Sequence, residues 1–428
     1  MSGPFAALAP AARRRAERVC RRRLSTAPGG QGKGNRQVQA ADRVYLDHNA
    51  TAPVRPEVAE AVARALLDLP GNPSSVHREG RAARAALETA RARVAGLVGA
   101  APARVTFTSG GTEAANAALS GALARRGAPA PTRLLVGATE HPCILAGHRF
   151  PAASAEILPV DAAGVVDLAH LEARLAALAG EGVLISLQAA NNETGVLQPL
   201  AAVVALARRH GAALVHCDAV QAAGRIPLDF AGSGLDALTL SGHKFAGPKG
   251  VGALVLAEDV ALDGGLVRGG GQEARLRGGT ENLAGLVGMG VAAEIAARGL
   301  AAEAARLARL RDALEAGIRA RAPDAVIFGA GAARLPNTAC LGVPGLEAAT
   351  ALIAFDLGGV AVSSGSACAS GKVGRSTVLA AMGVPAGLAA CALRVSFGWS
   401  SREADGDRFL SVFDRLLATL YKRRERAA

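Results

Sequence analysis

At 428 residues, half of them hydrophobic and one fifth charged, the chain has the composition of a globular protein large enough for two domains. Its net charge of +12 suggests a polyanionic partner, but residues 1–43 hold ten Lys/Arg against Glu17 and Asp42, which leaves only +4 for the rest of the chain. Aromatic content of 3% leaves few surfaces on which bases could stack, so no nucleic-acid partner is expected. No run of about 18 uncharged apolar residues marks a membrane span. Six cysteines without any C-x-x-C spacing exclude a disulfide framework and a zinc ribbon and fit a reducing compartment.

In chain order, residues 1–43 form an Arg-rich, acid-poor extension whose composition is that of disorder, with a targeting peptide as the other reading. A cytoplasmic protein is expected, or a mitochondrial one if that extension is a transit peptide. From there the chain alternates. β-branched runs at 104–108, 134–138, 183–187, 213–217, 236–240 and 252–256 predict buried strands, and 80–98, 112–125, 167–179 and 199–210 have helical periodicity. This alternation predicts an α/β fold with a large, mostly parallel sheet covered on both faces. After about residue 283 a long helical stretch leads into shorter mixed elements and a last helix near 403–422. The expected organisation is an extension (1–43), an N-terminal segment packing with the small domain (44–55), a large domain (56–300) and a small α+β domain (301–428).

Ligands of such sheets bind beyond the carboxyl ends of the strands. The residues that follow the strands are therefore the ones to inspect. They include Gly111 and Thr112 in SGGTEAAN, His141 in TEHPC and Asn191 and Asn192 in QAANNETG. Asp218 and Gln221 follow the 213–217 run, and Ser241, His243 and Lys244 follow 236–240. Taken singly, each also has a plain structural reading as a cap, a turn or a solvated side chain. The glycine turn opening a helix suits a phosphate, yet it is neither G-x-G-x-x-G nor a P-loop. Alternation sends His216 and Cys217 to opposite faces, so no metal site is expected. Lys244 is distinctive because the chain has only five lysines against 43 arginines. A lysine amine can deprotonate and condense with an aldehyde, which a guanidinium cannot. An aldehyde cofactor with a phosphate and a basic ring nitrogen would use Lys244, Asp218 and the Gly111–Thr112 turn together, and pyridoxal 5'-phosphate is such a cofactor.

YLDHNATAP (45–53), GNPSSVH (71–77), TSGGTEAAN, TEHPC, NNETG, DAVQAAG (218–224), SGHKFAGPKGVG, RGGTEN (277–282) and SSGSACASG (363–371) together closely resemble the cysteine desulfurases. These are class V members of the fold-type I pyridoxal phosphate enzymes. The resemblance runs from about Tyr45 to Arg415. It implies that Lys244 binds the cofactor aldehyde, Asp218 pairs with the ring nitrogen, Gln221 donates to the ring oxygen and His141 stacks on the ring and aids proton transfer. Thr112, Ser241 and His243 would hold the phosphate beside Gly111, with Thr280 reaching across from a second subunit of a homodimer. Asn192 and Arg394 would orient the substrate L-cysteine, Arg394 by gripping its carboxylate. Cys368 would take the substrate sulfur as a persulfide, leave L-alanine and pass the sulfur to an acceptor or scaffold protein in iron–sulfur assembly or thiolation. Another class V enzyme, a selenocysteine lyase or an aminotransferase, is the alternative. The chain departs from the family pattern at Ala369, at KVGRSTVL (372–379) and at Trp399.

Overall fold

The computed structural model describes residues 43–365, except 212 and 266, and residues 376–427. The extension before Arg43, Cys20 and the expected sulfur carrier Cys368 lie outside the described residues.

Val44–Tyr45 (β1) opens the described chain, and the helix Pro56–Asp68 follows with proline in its first turn, where the missing N–H costs nothing. This helix was not among the expected elements. The strands then run Val105–Thr108 (β2), Leu123–Arg125 (β3), Arg133–Gly137 (β4), Ala155–Leu158 (β5), Val183–Ser186 (β6), Leu214–Asp218 (β7), Ala237–Ser241 (β8), Gly252–Leu256 (β9) and Val260–Leu262 (β10). Among the described residues the main sheet has the order β2-β9-β8-β7-β6-β4-β5. Only β9 runs against the others, pairing antiparallel with both β2 and β8. The expected mostly parallel sheet is therefore present. Burial along β2, β6, β7, β8 and β9 is continuous rather than alternating, which is what a sheet covered on both faces requires.

The helix expected over 112–125 is shorter than that. It spans Gly111–Ala118, and the chain then turns at Ser120 and Gly121 into β3, which pairs with β10. The alanine-rich composition of 112–125 hid the break, because Gly121 takes a left-handed φ of 81° that closes the turn.

The helix Leu283–Arg321 joins two cores. Leu286, Met289, Ala292 and Ala293 pack into the core beside the main sheet. Leu307, Leu310, Leu314 and Ile318 pack into a separate cluster around Phe355, Phe409 and Phe413. This second cluster covers a sheet of Val326–Ile327 (β11), Thr338–Gly342 (β12), Ser363–Ser364 (β14) and Ala392–Ser396 (β15), in the order β11-β12-β15-β14. Val360–Ala361 (β13) pairs in parallel with β1, and Asp47 bridges to Ser396, so the segment after Arg43 is stitched to the second sheet. The joining helix is long and apolar enough by composition to cross a membrane, but half of its apolar window is buried in the protein.

Candidate active site

Chain direction places the ends of β2, β4, β6, β7 and β8 at one edge of the main sheet, and the antiparallel β9 begins there at Gly252. A cleft of about 650 Å³ opens at this edge. Of the residues expected from the sequence, Gly111, Thr112, His141, Asn192, Asp218, Gln221, Ser241, His243, Lys244 and Arg394 all line it. Thr280 does not; it is exposed and lines an adjoining recess with Ser109 and Gly250. Cys368 cannot be placed, since it lies outside the described residues.

One wall of the cleft is built by a glycine turn. β2 ends at Thr108, and the helix Gly111–Ala118 starts after Gly110 with no side chain capping it. Its first backbone N–H groups are therefore open to an anion. Glycine is needed at 111, where a Cβ would lie 2.8 Å from Val220 Cγ2 and 3.3 Å from Ser241 Cβ. It is needed equally at 252, where a Cβ would lie 2.5 Å from the Gly110 carbonyl carbon. Ser241, His243 and Lys249 line the same cleft.

Asp218 ends β7 and is buried. Burial pushes its carboxyl up to about 6, against the opposing pull of the Val220 N–H, which donates to Oδ1 at 2.9 Å, and of Lys244. Lys244 lies in the single turn Gly242–Phe245 after β8. Its ammonium donates to the carbonyls of Asn49 (2.6 Å) and Ala50 (2.9 Å). His141 caps the short helix Pro142–Leu145 and accepts from the Cys143 N–H at its Nδ1 (3.1 Å), so its proton sits on Nε2. Burial, and then Lys244, push His141 and His243 each down to about 4. Both imidazoles are neutral at physiological pH.

Arg394, in the middle of β15, is almost fully buried. Its Nη1 donates to the Asn192 carbonyl (3.0 Å) and its Nη2 to Asp47 Oδ1 (2.7 Å), while its Nε is buried without a hydrogen-bond partner. A buried guanidinium N–H with no acceptor is costly. The same side chain lines the cleft, beside Asn192.

Several residues at the site escaped the sequence reading. Asn49 is a hub: its carbonyl accepts from Lys244 and Gln221, its amide donates to the Asn192 carbonyl and Thr338, and its Oδ1 accepts from Asn337. The motif YLDHNATAP contained it, but nothing in the residue type said which partners it would meet. Glu140 is buried, accepts from the Gln188 N–H and leaves Oε2 without a partner; burial and Asp218 raise its carboxyl well above the usual range. Glu193, in NNETG, accepts from Ser376 Oγ at 2.5 Å and lies beside Gly365, so it touches both flanks of residues 366–375. Burial pushes Glu193 up to about 7.

The aminotransferase class-V family profile matches residues 44–409. The chain belongs to the class-V aminotransferase family. Within it, the chain is 43% identical over 384 residues to a cysteine desulfurase of Cereibacter sphaeroides, covering 89% of this chain and 97% of that one. It is 42% identical over 381 residues to an IscS-like cysteine desulfurase of Mycobacterium tuberculosis, covering 87% and 96%. Its fold is similar to a solved NifS-like protein from Rickettsia africae, with a TM-score of 0.79 and 34% identity, covering 88% of this chain and 99% of that chain.

The class-V family uses pyridoxal 5'-phosphate, and the donor set of this cleft fits that group. The cleft offers an uncapped helix N-terminus with a glycine floor for the phosphate, a buried carboxylate for a protonated ring nitrogen and a lysine amine for the aldehyde.

Proposed function

We propose that the chain is a cysteine desulfurase that converts L-cysteine to L-alanine and carries the sulfur on Cys368. The observation that carries this reading is the meeting, in one cleft, of Lys244, Asp218 and the buried, underused guanidinium of Arg394. The names of the relatives point the same way.

Pyridoxal phosphate, when bound, supplies an electron sink for charge developing at the substrate Cα. The chain's own residues supply the rest. The Gly111–Thr112 turn, Ser241 and His243 would hold the phosphate, and Asp218, largely ionised at neutral pH, would favour a protonated ring nitrogen. Lys244 Nζ would hold the aldehyde and would carry the proton to and from the substrate Cα. Arg394 and Asn192 orient the substrate carboxylate. Neutral His141, which lines the cleft and carries its proton on Nε2, can exchange a proton there. In the net reaction cysteine and the Cys368 thiol give alanine and a Cys368 persulfide. The substrate C–S bond breaks, an S–S bond forms, and a proton ends on the alanine methyl. An acceptor or scaffold protein then takes the sulfur.

We further propose a homodimer in which Thr280 serves the phosphate of the second copy. The exposure of Thr280 and its absence from the chain's own cleft support this. The division into a large domain (56–300) and a small one (301–428) is supported by the two cores that meet along Leu283–Arg321. A cytoplasmic setting is supported by bacterial relatives and by the free thiols of Cys143, Cys217, Cys340 and Cys391.

Cys368→Ser tests the reading. The bound cofactor's absorbance should still respond to cysteine, while alanine and sulfide stay at background, because a serine hydroxyl is too weak an acid to replace a thiolate. Turnover retained in this variant would remove Cys368 from the reaction. Lys244→Ala should leave no cofactor that borohydride can fix to the chain.

A further inference from the structure

Arg225 is buried, and among the described residues no carboxylate forms an ion pair with it. All its hydrogen bonds go to neutral acceptors. Nη1 donates to the Gln221 carbonyl (3.0 Å) and to Gln221 Oε1, and Nη2 donates to the carbonyls of His48 (3.1 Å) and Lys244 (3.4 Å). Burial and the positive charge of Arg394 push its guanidinium down to about 9, so the chain maintains a destabilised cation beside the cleft. A hydrophobic residue would fill the space at lower cost. The contact with Gln221 gives the cation a purpose.

A glutamine amide can point either way, but a guanidinium only donates. Contact with Arg225 therefore fixes Oε1 toward Arg225 and Nε2 away from it. Nε2 donates one proton to the Asn49 carbonyl at 3.1 Å, and the side chain lines the cleft. The second Nε2 proton is left for a ligand. We propose that Arg225 is a positioning residue that locks the Gln221 amide with its nitrogen toward the cleft, as a donor to the ring oxygen of pyridoxal phosphate. The inference rests on the cofactor reading above. It explains why a second arginine is buried within reach of the Lys244 turn without touching any acid.

The test is a double-mutant cycle on the holoenzyme, read by the visible absorption maximum of the bound cofactor and by its dissociation constant. Gln221→Leu removes the donor, and Arg225→Met frees the amide to rotate. Each variant should shift the absorption maximum in the same direction and weaken cofactor binding about tenfold, the worth of one hydrogen bond to a charged or polar ring oxygen. The double variant should show about the same tenfold loss, not a hundredfold one, because both changes remove one interaction. Should Arg225→Met fail to fold, Arg225→Gln keeps the hydrogen-bonding capacity but can accept as well as donate, and the same shift is expected. Arg225→Lys, still a pure donor, should restore the wild-type band. Additive losses, or an unshifted maximum in both Arg225→Met and Arg225→Gln, would overturn the inference. Wild-type protein without a visible band would instead overturn the cofactor reading, and this inference with it.

Discussion

Asp218 is where residue-scale chemistry can be measured without substrate. Burial raises its carboxyl from an ordinary 3.8 to about 6, with the Val220 N–H and Lys244 pulling the other way. Because the folded value lies above the unfolded one, the folded state holds this proton longer. Its contribution to stability is complete below about pH 4 and is lost as pH rises through 6. At neutral pH the ionised carboxylate thus costs the cofactor-free protein roughly 3 kcal/mol. Glu140, facing the same carboxyl, is raised as well and works in the same direction. Asp218→Asn should therefore raise the melting temperature of cofactor-free protein by a few degrees at pH 7 and change it little at pH 4. The same variant should bind cofactor far more weakly. Melting curves at the two pH values, with and without added cofactor, check both halves; a lower melting temperature at pH 7 without cofactor would refute the burial argument. Asp218 and Lys244 were legible in the sequence because each follows a strand at the carboxyl edge. Asn49 and Arg225 were not, because they act through backbone carbonyls and an amide up to 195 residues away, and no local pattern encodes such partners.

At the scale of elements, six of the seven main-sheet strands could be read from the sequence to within about a residue, since strands buried on both faces are unbroken apolar runs, whereas the partly exposed edge strand β5 and the short strands of the second sheet could not. The segment Gly271–Thr280 could not. There Glu273, Ala274 and Arg275 take successive left-handed φ values of 46°, 54° and 69°, a conformation that side-chain-bearing residues avoid. Tertiary contacts hold it in place. Glu273 reaches under the helix Arg78–Leu97, where its carboxylate takes two hydrogen bonds from Arg91 (2.6 and 2.8 Å) and one from the Phe107 N–H (2.8 Å). The Arg91 guanidinium lies over the Phe107 ring, 4.7 Å from its centroid. A few residues on, Arg277 pairs with Glu113 in the first turn of the helix that borders the cleft. Arg91 thus ties the approach to Thr280 onto β2. Arg91→Leu leaves the Glu273 carboxylate buried and unpaired, and should destabilise the protein by roughly 3–5 kcal/mol. Adding Glu273→Leu should recover much of that loss, because the stranded charge goes with it. Denaturant titration of the single and double variants measures the difference. A double variant as unstable as the single one would show that packing, not the ion pair, holds the turn.

Across the whole molecule, the chemistry and the charge lie in different parts of the chain. The residues that line the cleft run from Asn49 to Arg394, and the family profile begins at residue 44. Residues 1–43 carry eight of the twelve excess positive charges, yet no described element of the fold draws on residues 1–42. Just after them, the Val44 N–H donates to the Gly359 carbonyl (2.8 Å) and the Leu46 N–H to the Ala361 carbonyl (2.9 Å). Asp47 then pairs with Arg394, and Asn49 with Lys244, so the cleft depends on the chain from about residue 44 onward. Deletion must therefore stop short of that point. Removing residues 1–42 should leave cofactor absorbance unchanged and alanine formation within about twofold of the full chain, while lowering the isoelectric point. Extending the deletion through Asn49 should abolish cofactor binding, since it removes both the Arg394 partner and a carbonyl that holds Lys244. Alanine release and the visible spectrum of the two truncated proteins decide the matter. If the shorter deletion gave a folded protein that had lost turnover, the basic segment would belong to the catalytic unit, and the boundary drawn here at Arg43 would be wrong.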